Sequence, residues 1–107
     1  MARIIEQKMN KAISSGQNFI SGNTTVITQG EGEIVEVLLH GNKIAEFYGG
    51  TLRIFDGGWQ SKTTKSRLNA ILQPLGWGIF QKDYEWFVNY NGENIPFESG
   101  MILQYIH

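Results

Sequence analysis

The feature that most constrains this chain is its punctuation. Thirteen glycines are spread through 107 residues, and between Thr24 and Asp56 they separate short runs of β-branched and aromatic residues, the types that fit a pleated, half-buried surface. TTVIT, EIVEVLLH, KIAEFY and TLRIF are divided by the glycines of QGEGE, by HGN and by Gly49 with Gly50. A parallel crossover needs about a dozen residues or more, so links this short make consecutive strands antiparallel. A meander of three or four strands is therefore expected before the middle of the chain.

Side-chain parity within these runs indicates what covers the sheet. In EIVEVLLH, Val35, Val37 and Leu39 share one side, while Ile34, Glu36 and Leu38 share the other. A strand apolar mainly on one side, with Leu38 reaching across the other, suits a central position under a helix. KIAEFY sets Ile44 and Glu46 against Ala45 and Phe47, and TLRIF directs Leu52 and Ile54 one way.

Two segments read as helices. From Arg3 to about Ser14, Ile5, Met9, Ala12 and Ile13 share a face, with Glu6 and Lys11 directed away and Gly16 as a stop. QNFISGNTT then turns the chain, anchored by Phe19 and Ile20. In the center, Leu68, Ile71, Leu72 and Leu75 recur at helical spacing. Thr63 or Thr64 is the expected N-cap, and Pro74 with Gly76 ends the element.

Beyond that helix, GWGIFQK and YEWFVNY form a hairpin across Lys82 and Asp83, and Asn91-Gly92 is the strongest hairpin signal present. ENIPF returns as a short strand that Pro96 confines to an edge or a bulge. The apolar tail GMILQYIH is either a last strand of the same sheet or an arm for a second subunit. The expected architecture is α+β, a small antiparallel sheet with an N-terminal and a central helix. One domain spans 1–107: a helix at 1–15, a strand meander at 24–56, the central helix at 63–75 and a second group of strands at 77–106.

Charge is distributed unevenly. The run from Trp59 to Lys82 holds Lys62, Lys65, Arg67 and Lys82 and no acid, whereas residues 83–107 hold Asp83, Glu85, Glu93 and Glu98 and no lysine or arginine. With a net charge of −1 the whole molecule exerts no long-range pull on duplex nucleic acid. Any anion must be met locally. Helix-start amides, the hydroxyls of Thr63 and Thr64, and the cations Lys62, Lys65 and Arg67 together suit phosphate. Trp59, between a glycine turn and the basic run, is the tryptophan expected to be exposed and able to stack on a base. Trp77 and Trp86 suit the core. His40, Asn42 and Lys82 are further candidates. The same residues also fit a capped helix with solvated charges and a solvated turn at His40-Gly41-Asn42.

Other chemistries are excluded or unsupported. There is no cysteine, which removes disulfides, thiolate catalysis and cysteine metal sites. His40 and His107 have no ligand spacing, so no metal or other cofactor is expected. No GxxxxGK[ST] cradle is present, and Gly57 and Gly58 precede Lys62 at the wrong spacing for one. MARIIEQKMNKAI lacks the long apolar core of a signal peptide, and no run approaches a membrane span, so a cytoplasmic protein without a membrane partner is expected.

LHGNKIAEF, GGWQSKTTKSRLNAIL, GIFQKDYEWFV and the closing Phe97-x-x-Gly100-Met101 together resemble a family of small accessory proteins of tailed bacteriophages, from about SGNTTV onward. The resemblance implies a bacteriophage origin and a role in the cytoplasm of an infected host. Accessory proteins of this kind are often inhibitors of host defense, sequesterers of signaling nucleotides or modulators of host enzymes. The leading expectation is a non-enzymatic, homo-oligomeric protein that binds a nucleotide or another phosphorylated small molecule, such as a nucleotide second messenger, and so counters host defense. A protein–protein inhibitor of a host enzyme is the alternative, and single-stranded nucleic-acid binding is third.

Overall fold

The computed structural model describes residues 3–105. Positions 1–2 of the expected first helix, Ile106 of the expected last strand group, and His107 lie outside the described residues. The elements are α1 (Ile4–Ser15), β1 (Phe19–Ser21), β2 (Thr24–Gln29), β3 (Ile34–Leu39), β4 (Asn42–Tyr48), β5 (Thr51–Ile54), α2 (Lys62–Leu72), β6 (Gly78–Lys82), β7 (Glu85–Tyr90), β8 (Glu93–Pro96) and β9 (Met101–Gln104). The fold is α+β with antiparallel sheets, one of six strands in the order β1-β2-β3-β4-β5-β9 and one of three in the order β6-β7-β8.

Turn chemistry sets the meander. His40-Gly41, Gly49-Gly50, Asp83-Tyr84 and Asn91-Gly92 each join two strands with positive φ at both residues, the twist-matched geometry that favors Asn and Gly. The second hairpin thus turns at Asp83-Tyr84, one residue later than Lys82-Asp83. Tyr84 sits there at φ 67 with 94% of its surface exposed.

The register aligns Val26, Val37, Ala45, Ile54 and Met101 across five strands. Val26, Val37, Ala45, Ile54 and their neighbors Val35, Leu39, Leu52 and Leu103 are buried. One expectation from parity is corrected in β4, where Ile44 and Ala45 are both buried. The register shifts between Val37 and Leu38, leaving Ile44 as an extra residue, and such a bulge turns two successive side chains inward. The tail is a strand of the protein's own sheet: β9 pairs with β5, and the Tyr105 amide donates to the Gly50 carbonyl at 3.1 Å.

α1 packs on β2 and against α2, and α2 touches β4 of the large sheet and β6 of the small one. Leu68, Ile71 and Leu72 of α2 are buried together with Met9 and Ala12 of α1. The small sheet is fastened at β6 and at the end of β7. The Asn69 Oδ1 accepts from the Ile79 amide at 2.8 Å. The Tyr90 hydroxyl accepts from the Gln104 amide at 3.0 Å and donates to the Gln104 carbonyl at 3.2 Å. That second contact occupies backbone groups on the outer side of β9, which would otherwise be an open edge. Trp77 and Trp86 are core residues, 8% and 5% exposed, in edge-to-face contact with Tyr90 and Phe97.

Candidate functional site

The basic run of the sequence separates in space into three environments. The N-cap of α2 is Ser61, two residues before the expected Thr63 and three before Thr64. The Ser61 Oγ accepts from the Thr64 amide at 3.1 Å, and the Ser61 carbonyl accepts from the Lys65 amide at 3.0 Å. Ser61 precedes Thr64 by three residues, the spacing of an N-cap to its third helical amide, which is the signal that identifies it. The regular helix ends at Leu72, and Gln73–Leu75 continue as a 3-10 turn closed by Gly76 at φ 80.

Arg67 is the first environment, and it lies inside the fold. Only 3% of its surface is exposed. Its Nη1 donates to the Glu6 Oε2 at 2.8 Å, its Nε to the Thr24 Oγ1 at 3.0 Å and its Nη2 to the Asn23 Oδ1 at 3.3 Å. Glu6, expected on the outer face of α1, is therefore buried as well, with 2% exposure. A carboxylate tolerates such a position only when its charge and lone pairs are met. The Ser66 hydroxyl, the Arg3 amide and the Arg67 guanidinium meet them. Burial pushes the Glu6 carboxyl up, and these three donors outweigh it and hold the group below its ordinary value of 4.5. The ion pair ties α1, the start of β2 and α2 together. No local pattern marks it, because its partners are about sixty residues apart and a glutamate among apolar residues on a short helix reads as solvated.

Lys62 and Lys65 make the second environment, Lys62 exposed and Lys65 half-buried on the opening turns of α2. Lys82 is the third, at the far hairpin of the small sheet.

Beside the start of α2 is a cleft of about 480 Å³. His40 and Asn42 reach it from the β3–β4 turn, Asp56, Gly57, Gly58 and Trp59 from the loop after β5, and Ser61, Thr63 and Thr64 from the helix start, over a floor of Leu39 and Ile44. Five residues singled out in sequence thus share one wall system: His40, Asn42, Trp59, Thr63 and Thr64. None of Lys62, Lys65, Arg67 and Lys82 lines it, although Lys62 and Lys65 adjoin its wall residues Ser61, Thr63 and Thr64 in sequence. The loop is shaped by an Asx turn in which the Asp56 Oδ1 accepts from the Gly58 amide at 3.0 Å, and by the Asp56 amide donating to the Ser99 Oγ at 3.1 Å. Gly57 lies close over β4, where a Cβ would meet the Ile44 Cγ2 at 3.4 Å. This places Trp59 at the rim with 75% of its surface exposed.

The cleft's polar groups differ in what they can still offer. The Thr64 hydroxyl is buried and engaged with the Ser61 Oγ at 3.0 Å, so Thr63 supplies the accessible hydroxyl. The amides of Lys62 and Thr63 belong to the first helical turn, which has no intrahelical acceptor for them. No acid occupies that turn, so the positive end of the dipole is not neutralized within the helix. Among the described residues no group of three or more His, Asp or Glu side chains could hold a metal ion. No helix among them is long and apolar enough to cross a membrane.

A family model described as Kyanoviridae Gp96 protein matches residues 2–104. No curated protein and no solved structure matches the chain. The chain belongs to the Kyanoviridae Gp96 protein family, a family of phage proteins.

Proposed function

We propose that this Kyanoviridae Gp96 family member is a non-enzymatic accessory protein that binds a nucleotide-like phosphorylated small molecule in the cleft at the start of α2. The observation that carries this reading is the convergence on one cleft of an exposed indole, Trp59, with the Thr63 hydroxyl and the acid-free first turn of α2, the helix whose opening turns also bear Lys62 and Lys65. An aromatic face accepts any base by stacking. Amides and cations at a helix start accept phosphate. Asn42 and the Asp56 carboxylate add groups able to bond a base edge or a ribose hydroxyl. His40 has no nucleophile or orienting carboxylate paired with it by a hydrogen bond among the described contacts, which favors holding a ligand over transforming it. Sequestering a signaling nucleotide in the cytoplasm of an infected host would counter host defense, and a second subunit closing over this shallow cleft would make the binding unit an oligomer.

The test is a calorimetric titration of mono- and cyclic dinucleotides, with native mass spectrometry reading subunit number and the mass of the retained ligand. One of these nucleotides is expected to bind and be recovered unmodified. Lys62→Glu with Lys65→Glu is expected to abolish that binding without loss of fold. Failure of all the nucleotides to bind, or equal binding by the double variant, contradicts the reading.

A further inference from the structure

A second, larger concavity lies at the other end of α2. It measures about 840 Å³, within the roughly 300–1,000 Å³ of small-molecule sites. Ile13 of α1, Ile71 and Leu75 at the end of α2, and Val35 and Phe47 of the large sheet give it an apolar lining. Tyr105 stands edge-on to Phe47, with ring centroids 6.1 Å apart, and turns the lining aromatic on that side.

Its electrostatics oppose those of the first cleft. Glu33 is the charged residue among those lining it, and no lysine, arginine or histidine lines it. The last turns of both helices border the space, and neither last turn carries a basic residue. The negative ends of two helix dipoles are therefore left without a cation of their own. Apolar walls, aromatic faces and an acceptor charge at the border are what a desolvated ammonium group on a hydrocarbon stem requires.

We propose that this groove is a binding site for a small organic cation with an apolar body, an amine or quaternary ammonium compound. The stem lies along Ile13, Val35, Ile71 and Leu75, and the ammonium group rests between Glu33 and the aromatic side made by Phe47 and Tyr105. The site is separate from the cleft at the start of α2, and its ligand carries the opposite charge.

Three eight-carbon probes of one stem test it by calorimetry on the full chain below micelle formation: octyltrimethylammonium, octanol and octyl sulfate. The cation is expected to bind most tightly and octyl sulfate least. Glu33→Gln, at an exposed position, is expected to weaken the cation by roughly twofold to fivefold, the range of one exposed charge or cation–π contact, and to leave octanol unchanged. Trp59→Ala is expected to change none of the three. Octyl sulfate binding as tightly as the cation, binding by none of the probes, or an unchanged cation affinity in Glu33→Gln would each overturn the proposal.

Discussion

The two ends of helix α2 are built from the same eleven-residue element and differ in almost every property that selects a ligand. At its start, hydroxyls, an exposed indole and the first helical turn border a cleft of about 480 Å³, and two lysines stand on the opening turns of the helix. At its end, aliphatic and aromatic side chains enclose about 840 Å³ with one carboxylate at the border. The helix dipole accounts for the sign of the difference, and packing accounts for its polarity. The first turn shares its cleft with the β3–β4 turn and the loop after β5, while the end of the helix shares its groove with Ile13 of α1 and with Val35 and Phe47 of the large sheet. Charge in the sequence did not decide the matter by count. Of four bases in the central run, two stand on the opening turns of α2, one holds the helix in place and one belongs to the small sheet.

The largest expected effect comes from breaking what holds both ends in register. Glu6→Gln leaves Arg67 buried without its counter-charge and is expected to cost about 3–5 kcal/mol in denaturant unfolding. Replacing both partners, Glu6→Leu with Arg67→Met, is expected to recover most of that loss, because a buried pair offsets its own desolvation only partly. The pH dependence follows from the depressed carboxyl. The contribution of Glu6 is fully present above its unfolded value near 4.5 and is lost as pH falls through its lower folded value. Acid unfolding of the wild type should therefore show a stability decline below that pH that the Leu/Met double variant lacks.

A smaller effect sharpens the contrast between the two ends. Trp59→Ala is expected to remove about 1–3 kcal/mol of nucleotide affinity, the worth of one stacked base, with stability within roughly 0.5 kcal/mol of wild type because the side chain is exposed. The smallest concerns the caps. Ser61→Ala is expected to cost about 1 kcal/mol by freeing the Thr64 amide. Gly76→Ala is expected to cost a similar amount, about 1 kcal/mol, through the left-handed backbone alone, since nothing lies within 4 Å of an added Cβ. Thermal unfolding of the two variants separates a hydrogen-bonding cap from a conformational one. Ser61→Ala should also weaken the nucleotide, whereas Gly76→Ala should not.

What was legible in the sequence was what local chemistry dictates. The glycine and asparagine turns placed the hairpins, the alternation of Val35, Val37 and Leu39 placed the buried face, and Gly16 and Gly76 ended their elements. Trp59 was legible as exposed because it follows two glycines and precedes a polar run. What was not legible depended on distant partners. The Glu6–Arg67 pair bridges two helices, and each residue alone looks solvated. The bulge at Ile44 depends on the register of β3. The apolar groove draws its walls from both helices, the large sheet and Tyr105, segments with no shared spacing. Trp59, Thr63 and His40, singled out in the sequence, line the polar cleft, whereas Ser61 rather than Thr63 or Thr64 caps the helix beside it.

The most direct test of two oppositely selective ends is one amide-detected NMR titration of the full chain, first with the nucleotide and then with octyltrimethylammonium. The nucleotide should shift amides at 40–42 and 57–65, and the cation those at 13–14, 32–35, 47–50, 71–73, 75 and 105, each leaving the other set in place. Both ligands shifting the same set, or the nucleotide leaving 57–65 unmoved, would contradict the account.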